Sequence, residues 1–264
     1  MANVVDFNAA PVINESHGAG GLFDQYPKAA FWIGRVSTEG SIHQPEEFDN
    51  LTRFRRQVYV DELEFLGREH VDPLGREIDE DDARSTNFVV FSQGSAENLQ
   101  VEDSKVVGSA RIIVKTEEDK PLPIESYFPE LFEDQPLSKM TGEVSRFIAR
   151  DANRERQHRI SLALMRAIAY HSVNNQLGEG YCMIEQPLLR LLKVTGIPID
   201  VLGEPKEITE YNGILIPVKL EAGRLIGTAK SSKAGSFLLR RFFQDDSSNQ
   251  GLGYFPDSLM GGQA

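Results

Sequence analysis

GEVSRFIAR, residues 142–150, reads as a β-strand and yet fails the simplest test of one. A half-buried strand is apolar on one face and polar on the other, because side chains alternate residue by residue. Strict alternation puts Glu143, Ser145, Phe147 and Ala149 on one face and Val144, Arg146, Ile148 and Arg150 on the other. Whichever face turns inward carries a charge with it. Such a strand implies a sheet with a polar cleft cut into it.

The neighbouring segments give that strand its setting. Downstream, residues 159–176 form a helix with Ile160, Leu164, Ala167, Ile168 and His171 on one side. YCMIEQP (181–187) is a short buried strand, and LLRLLKV after Pro187 is a short helix. ILIPVKL (214–220) closes the sheet, with Pro217 placing it towards an edge. Upstream, NFVVF (87–91) and VVGSARIIV (106–114) read as an antiparallel hairpin with a long polar connection, and AAFWIGRV (29–36) as a further strand. From Pro45 to about Phe65 a helix is predicted, because Phe48, Leu51, Arg55, Val58, Tyr59 and Leu63 recur at spacings of three and four. PLPIESYFPELF (121–132) suggests an extended start and a short helix. The expected organisation is a flexible leader (1–28), a single domain (29–227) and a partly flexible C-terminal extension (228–264) with an apolar patch at 237–243. Strands in an antiparallel group with helices between the later ones make an α/β (α+β) sandwich.

Composition excludes several classes of function. The 264 residues are 40% hydrophobic and 26% charged, as in an ordinary globular protein. A net charge of −12 argues against general binding to nucleic acid or anionic membranes. No apolar run is long enough for a membrane span. MANVVDFNAAPV has neither the basic start nor the apolar core of a secretory signal, so the cytoplasm is the expected compartment. Cys182 is the only cysteine, which leaves no intramolecular disulfide, and inside YCMI it reads as a small buried hydrophobe. The five histidines show no ligand spacing, and no metal is expected.

The charge is unevenly placed. Residues 61–82 hold ten acids against two arginines, whereas 146–166 hold six arginines against Asp151 and Glu155. Three constellations follow. Glu77, Asp79 and Asp82 in GREIDEDD could be a solvated acidic loop, a metal site without EF-hand spacing, or a grip on arginines from other segments. Arg55 and Tyr59 lie one turn apart on the apolar side of the first helix, and an inward arginine must be paired there or bind substrate. Glu143, Ser145, Arg146 and Phe147 join Arg111 as charges on strands where apolar residues are the rule. A recurrent exchange of acids and guanidiniums across neighbouring segments suits a cleft that binds something charged and hydrogen-bonding.

In order, Arg55-x-x-x-Tyr59-x-x-x-x-x-Phe65, Glu77-x-Asp79-x-x-Asp82, Arg111 and Glu143-x-Ser145-Arg146-Phe147 resemble the acyl-homoserine-lactone synthases, over roughly residues 48–220. YFPELF before the last motif and VTGIPIDVLGEP after it extend the likeness. The resemblance implies a GNAT-like three-layer sandwich, a mixed, mostly antiparallel sheet flanked by helices. It also implies amide synthesis: an acyl chain moves from the phosphopantetheine thioester of an acyl carrier protein to the α-amine of S-adenosylmethionine, and lactone closure expels methylthioadenosine. Arg55, Tyr59, Phe65 and Phe147 would then belong to the amine-substrate pocket, with Glu77, Asp79 and Asp82 organising it and holding Arg55 and Arg111. Glu143 would be the general base, with Ser145 and Arg146 beside it. No cofactor is implied beyond the substrate and the carrier's own phosphopantetheine. Two positions depart from the family pattern, which has tryptophan at position 65 and phenylalanine at position 59. Tryptophan is the strongest cation–π ring and suits a sulfonium. N-acyl amino acid synthases and exosortase-associated acyltransferases share the R-x-x-V-Y and E-x-SR patterns, so transfer to another amine, such as an amino acid, is the alternative.

The chemistry fits these residue types. An amine attacks a thioester only when unprotonated, so a carboxylate on a cleft-lining strand can take its proton. The oxyanion needs donors, expected from backbone N–H groups freed where strands splay around a bulge. RDANRERQHRIS (150–161) lacks the glycines of a pyrophosphate-binding loop, and Arg150, Arg154, Arg156 and Arg159 are expected to dock an acidic carrier protein.

Overall fold

The computed structural model describes residues 31–37, 46–92, 105–115, 120–194, 197–221 and 224. The leader 1–28 and the extension from 228 onward, with its apolar patch, lie outside the described residues. The strands are β1 (Phe31–Ser37), β2 (Ser85–Ser92), β3 (Lys105–Val114), β4 (Gly142–Ala149), β5 (Gly180–Ile184), β6 (Ile199–Val201), β7 (Lys206–Ile208) and β8 (Gly213–Leu220). The helices are α1 (Glu46–Arg56), α2 (Pro123–Tyr127), α3 (Arg154–Asn174) and α4 (Gln186–Val194).

These strands form one mixed sheet in the order β1-β2-β3-β4-β5-β8-β6, with β7 also on β8. All pairings are antiparallel except β4 with β5. Alternation along β3 shows how the layers arise. Ala110 and Ile112 pack with Phe88, Val90, Ile160 and Leu164 under α3, whereas Ile113 packs on the opposite side with Leu122, Ile124 and Phe128 around α2. Phe48, Leu51 and Phe54 of α1 cover Val89, Phe91 and Ile148. Leu189 and Leu192 of α4 close over Cys182, Ile184, Ile216 and Val218. Helices on both faces of one sheet make a three-layer sandwich. Gly108 allows α3 its close approach: a methyl there would stand 2.5 Å from Ile160 Cγ2.

Three elements differ from their sequence-based expectation. Helix α3 begins at Arg154 rather than 159, because the Asn153 side chain accepts from the Glu155 and Arg156 amides and caps it. Helix α4 begins at Gln186, so Pro187 lies in its first turn, where no intrahelical N–H is needed. Strand β8 is not at an edge despite Pro217. It lies between β5 and the short β6 and β7, which pair with Val218–Leu220 and Gly213–Leu215 respectively. Pro217 falls in the gap between those two partners, where its missing N–H breaks no ladder, and its carbonyl accepts from the Leu202 N–H at 3.0 Å.

Candidate active site

Strand β4 departs from simple alternation. Arg111 faces Ser145 and Ser109 faces Ile148, so two steps along β3 are matched by three along β4. The extra residue lies at Arg146–Phe147, and Arg146 has a left-handed φ of 52°. This is a β-bulge with an arginine where glycine is usual, a conformation that costs roughly 1–3 kcal/mol. Its consequence is that Glu143, Ser145, Arg146 and Ile148 serve the α1/α2 side, while Val144, Phe147 and Ala149 pack against the α3 cluster. The two charged faces read from strict alternation are therefore one charged face and one apolar face. Phe147 thus turns to the other side of the sheet from Glu143, yet both line the cavity that opens between β4 and β5.

The bulge is held from several directions. The Arg146 carbonyl accepts from Ser109 Oγ at 3.0 Å, and the Phe147 carbonyl accepts from the Tyr59 hydroxyl at 3.3 Å. The Arg146 guanidinium donates to Glu77 and Asp79, both at 2.9 Å. Arg111 forks onto the two oxygens of Asp79 at 2.6 and 2.9 Å, and its Nε donates to Ser145 Oγ at 3.0 Å. Arg55, fully buried, forks onto Asp82 at 2.8 and 3.0 Å and donates to Glu77. Three guanidiniums thus meet three carboxylates with no net charge. Of the three readings of residues 75–82, the grip on arginines is the observed one.

Each carboxylate owes its state to this pairing. Burial would push Glu77 up, but Arg55 and Arg146 outweigh it and hold the group below its ordinary value. Asp79 is lowered against burial chiefly by Arg111 and then Arg146, and Asp82 well below its ordinary value by Arg55 and Arg111. Asp79 also caps the 3₁₀ turn at Glu80–Arg84, its Oδ1 accepting from the Asp81 and Asp82 amides at 3.0 and 3.2 Å.

Beyond α1 the helix widens into a π-turn, Gln57–Glu62. Two side-chain pairs five residues apart mark it: Gln57 donates to Glu62 at 2.9 Å, and Arg56 lies 3.1 Å from Asp61. Such turns cluster at functional sites. Here it presents Tyr59 beside a row of rings, with Phe65 5.8 Å from Tyr59 and stacked 5.5 Å from Tyr211. The Arg146 guanidinium lies 5.8 Å from the Tyr59 ring centre and 5.9 Å from that of Tyr211.

Strands β4 and β5 pair only at Gly142–Gly180 and Glu143–Tyr181. Past that point they part, and a cavity of about 310 Å³ opens between them. Glu143, Arg111, Ser145 and Arg146 line it with the rings of Tyr59, Phe65 and Tyr211; its apolar walls include Met165, Ile168 and Leu192. Arg55, Glu77, Asp79 and Asp82 are not among its lining residues and stand behind Arg111 and Arg146. Burial pushes the Glu143 carboxyl up to about 8; the Ile124 N–H, donating at 2.9 Å, pulls it down, and Asp81 pushes it further up.

The four arginines of 150–159 lie apart from this wall. Arg150 pairs with Glu62 at 3.0 Å, Arg156 with Asp151 at 3.2 Å and Arg159 with Glu155 at 2.9 Å, and Arg154 is exposed. Cys182 is buried and lines the cavity, its thiol pushed up by burial. Two contributors escaped the sequence reading. Tyr211 ends a 3₁₀ turn outside every motif, and the Ile124 amide is a backbone group. The i,i+5 pairs would have revealed the π-turn.

A model of the autoinducer synthase family matches residues 40–225. Comparison with curated protein sequences finds no match. Among solved structures, BjaI, a CoA-dependent acyl-homoserine lactone synthase with SAM and isopentyl-CoA, is similar at a TM-score of 0.54 and 18% identity, over 71% of this chain and 82% of that one. TofI in a ternary complex with an inhibitor and MTA gives 0.53 and 16%, over 72% and 91%. The acyl-homoserine lactone synthase LasI gives 0.52 and 20%, over 74% and 90%. At these identities the likeness establishes the fold.

Proposed function

This chain belongs to the autoinducer synthase family, a family of N-acyltransferases, and from that premise we propose that it makes an N-acyl-homoserine lactone from S-adenosylmethionine and an acyl thioester carried by acyl carrier protein. The observation that carries the reading is the parting of β4 and β5 beyond Glu143–Tyr181, with a buried carboxyl at the apex of the gap. An extended pantetheine arm can enter between strands that no longer pair with each other. Its thioester then meets the amine beside Glu143.

In the first step the amine nitrogen attacks the thioester carbonyl and Glu143 accepts the amine proton. The carbon–sulfur bond of the thioester breaks, and the sulfur leaves on the carrier as a thiolate that takes a proton from solvent. In the second, a carboxylate oxygen of the acylated substrate attacks its own γ-carbon, and the sulfonium leaves as methylthioadenosine. The site needs no nucleophile of its own, which suits a cleft whose cysteine is held as thiol. A proton acceptor pushed up to about 8 is matched to an α-amine, whose ordinary value is also near 8. The rings of Tyr59, Phe65 and Tyr211 offer faces to a sulfonium, so the amine pocket has several smaller rings where the family has tryptophan.

Carrier protein is preferred to CoA as donor because the amides of Glu155 and Arg156, at the start of α3, are already bonded to Asn153. A pyrophosphate would have to displace that cap. The exposed Arg154, with Arg150, Arg156 and Arg159 around it, supports docking of an acidic partner.

The test is direct. Purified protein is mixed with S-adenosylmethionine and butanoyl, octanoyl, dodecanoyl or hexadecanoyl thioesters, each on acyl carrier protein and on CoA. Methylthioadenosine and an acyl-homoserine lactone are the expected products, with carrier thioesters used better. Acyl transfer to an amino acid without methylthioadenosine would replace the lactone reading with the alternative one. Preference for CoA would remove the carrier assignment alone.

A further inference from the structure

Lys115 and Glu125 form an ion pair that is almost completely buried, outside the Arg55–Arg111–Arg146 network. Lys115 Nζ donates to both Glu125 oxygens, at 2.6 and 2.9 Å. The same oxygens accept backbone N–H groups, from Leu137 at 3.1 Å and from Leu122 at 2.8 Å. The Lys115 backbone is tied as well, its N–H to the Thr141 carbonyl at 2.9 Å and its carbonyl to the Met140 N–H at 3.3 Å. One side-chain pair therefore joins the end of β3, the start of α2 and the segment leading into β4. Two residues after Leu122, the Ile124 N–H donates to Glu143 Oε2. A buried ion pair is weak support for stability, since apolar side chains of similar size often serve as well. What such a pair does supply is a fixed geometry.

We propose that Lys115 and Glu125 are positioning residues for the proton acceptor: they hold the first turn of α2 so that its Ile124 amide stays fixed on the Glu143 carboxylate. The inference rests on Glu143 being the base. A donor held on the charged form favours that form. Releasing the turn would therefore leave Glu143 ionising at higher pH. The other groups acting on it are Asp81 and Arg84 of the 3₁₀ turn, Arg111 of β3, Cys182 of β5 and Tyr211. None of these takes part in the Lys115–Glu125 pair.

The experiment is a pH–rate profile of N-acyl product formation for the wild type, Lys115→Met, Glu125→Gln, Lys115→Arg and Glu143→Gln, followed by mass spectrometry. In Lys115→Met and Glu125→Gln the midpoint of the rising limb should move up by roughly half to one pH unit, with the high-pH plateau within about twofold of wild type. Lys115→Arg should return the midpoint towards wild type. A purely structural pair would lower the rate evenly at every pH, and an unmoved midpoint in a folded variant overturns the proposal. Should neither variant fold, an ester in place of the Ile124 peptide N–H removes the donor alone, and the same shift is required of it. Full activity in Glu143→Gln would instead remove the base itself. An inactive Glu143→Gln with unmoved midpoints elsewhere would remove only the positioning role.

Discussion

Arg146 stands in left-handed backbone with φ 52°, and its Nε donates at 2.9 Å to Glu77, 69 residues away in sequence. The strain at the bulge and the buried ion pair are one device. The bulge turns the guanidinium to the side of the sheet where Glu77 and Asp79 wait, and those carboxylates keep the bulge from relaxing.

Replacing Arg146 should therefore be costly in a graded way. Arg146→Ala leaves Glu77 with Arg55 alone and Asp79 with Arg111 alone, and breaking a buried pair costs about 3–5 kcal/mol. Arg146→Lys keeps the charge but loses the planar fork, so a smaller loss, about 1–3 kcal/mol, is expected. Urea denaturation of both variants checks the order.

Acid should unfold the protein through the same network. The folded-state values of Glu77, Asp79 and Asp82 lie below their unfolded ones. Their contribution is complete above the ordinary carboxylate range and is lost as pH falls through the lowered values. Thermal melts from pH 6 down to pH 2 should show a steep fall in the wild type, and a shallower fall from a lower starting stability in Asp82→Asn.

Glu143 behaves in the opposite sense. Its carboxyl is pushed up to about 8 in the folded protein, so the fold loses stability as pH rises from the ordinary carboxylate range through about 8. Glu143→Gln does not titrate. The variant should be more stable than wild type at pH 9, by a few kcal/mol in order of magnitude, with the difference shrinking towards pH 5. Calorimetry across that range provides the comparison.

Phe65 is placed to separate the two substrates. Phe65→Ala removes the ring between Tyr59 and Tyr211, and a lost cation–π face should raise KM for the amine substrate by about 3- to 30-fold. KM for the acyl thioester should hardly change. Steady-state kinetics with each substrate varied in turn distinguishes these effects.

Much of the fold was legible because α1 and α3 carry apolar residues at spacings of three and four, and because β2 and β3 are largely apolar runs bounded by polar turns. The arginines and acids of the network were legible because buried charge must be paired. The bulge was hidden by the assumption of unbroken alternation, although failure of both faces at once was its trace. Pro217 misled because sheet edges are not the sole sites for proline, and a gap between two short partners serves as well. Strands β6 and β7, of three residues each, are too short to show a period and exist by pairing with β8. Tyr211 and the Ile124 amide reach the site through tertiary packing, which no spacing along the chain encodes.

The central claim is that Glu143 takes the amine proton in the cleft between β4 and β5. The measurement is single-turnover amide formation with saturating S-adenosylmethionine and acyl carrier thioester, wild type against Glu143→Gln, from pH 6 to pH 9.5. The wild-type rate should rise with pH as both the carboxyl and the amine lose their protons, while the folded variant should lose about 10²–10⁴-fold and keep only the rise set by the amine's own ionisation. A variant that forms amide at the wild-type rate with the same pH dependence would contradict the account.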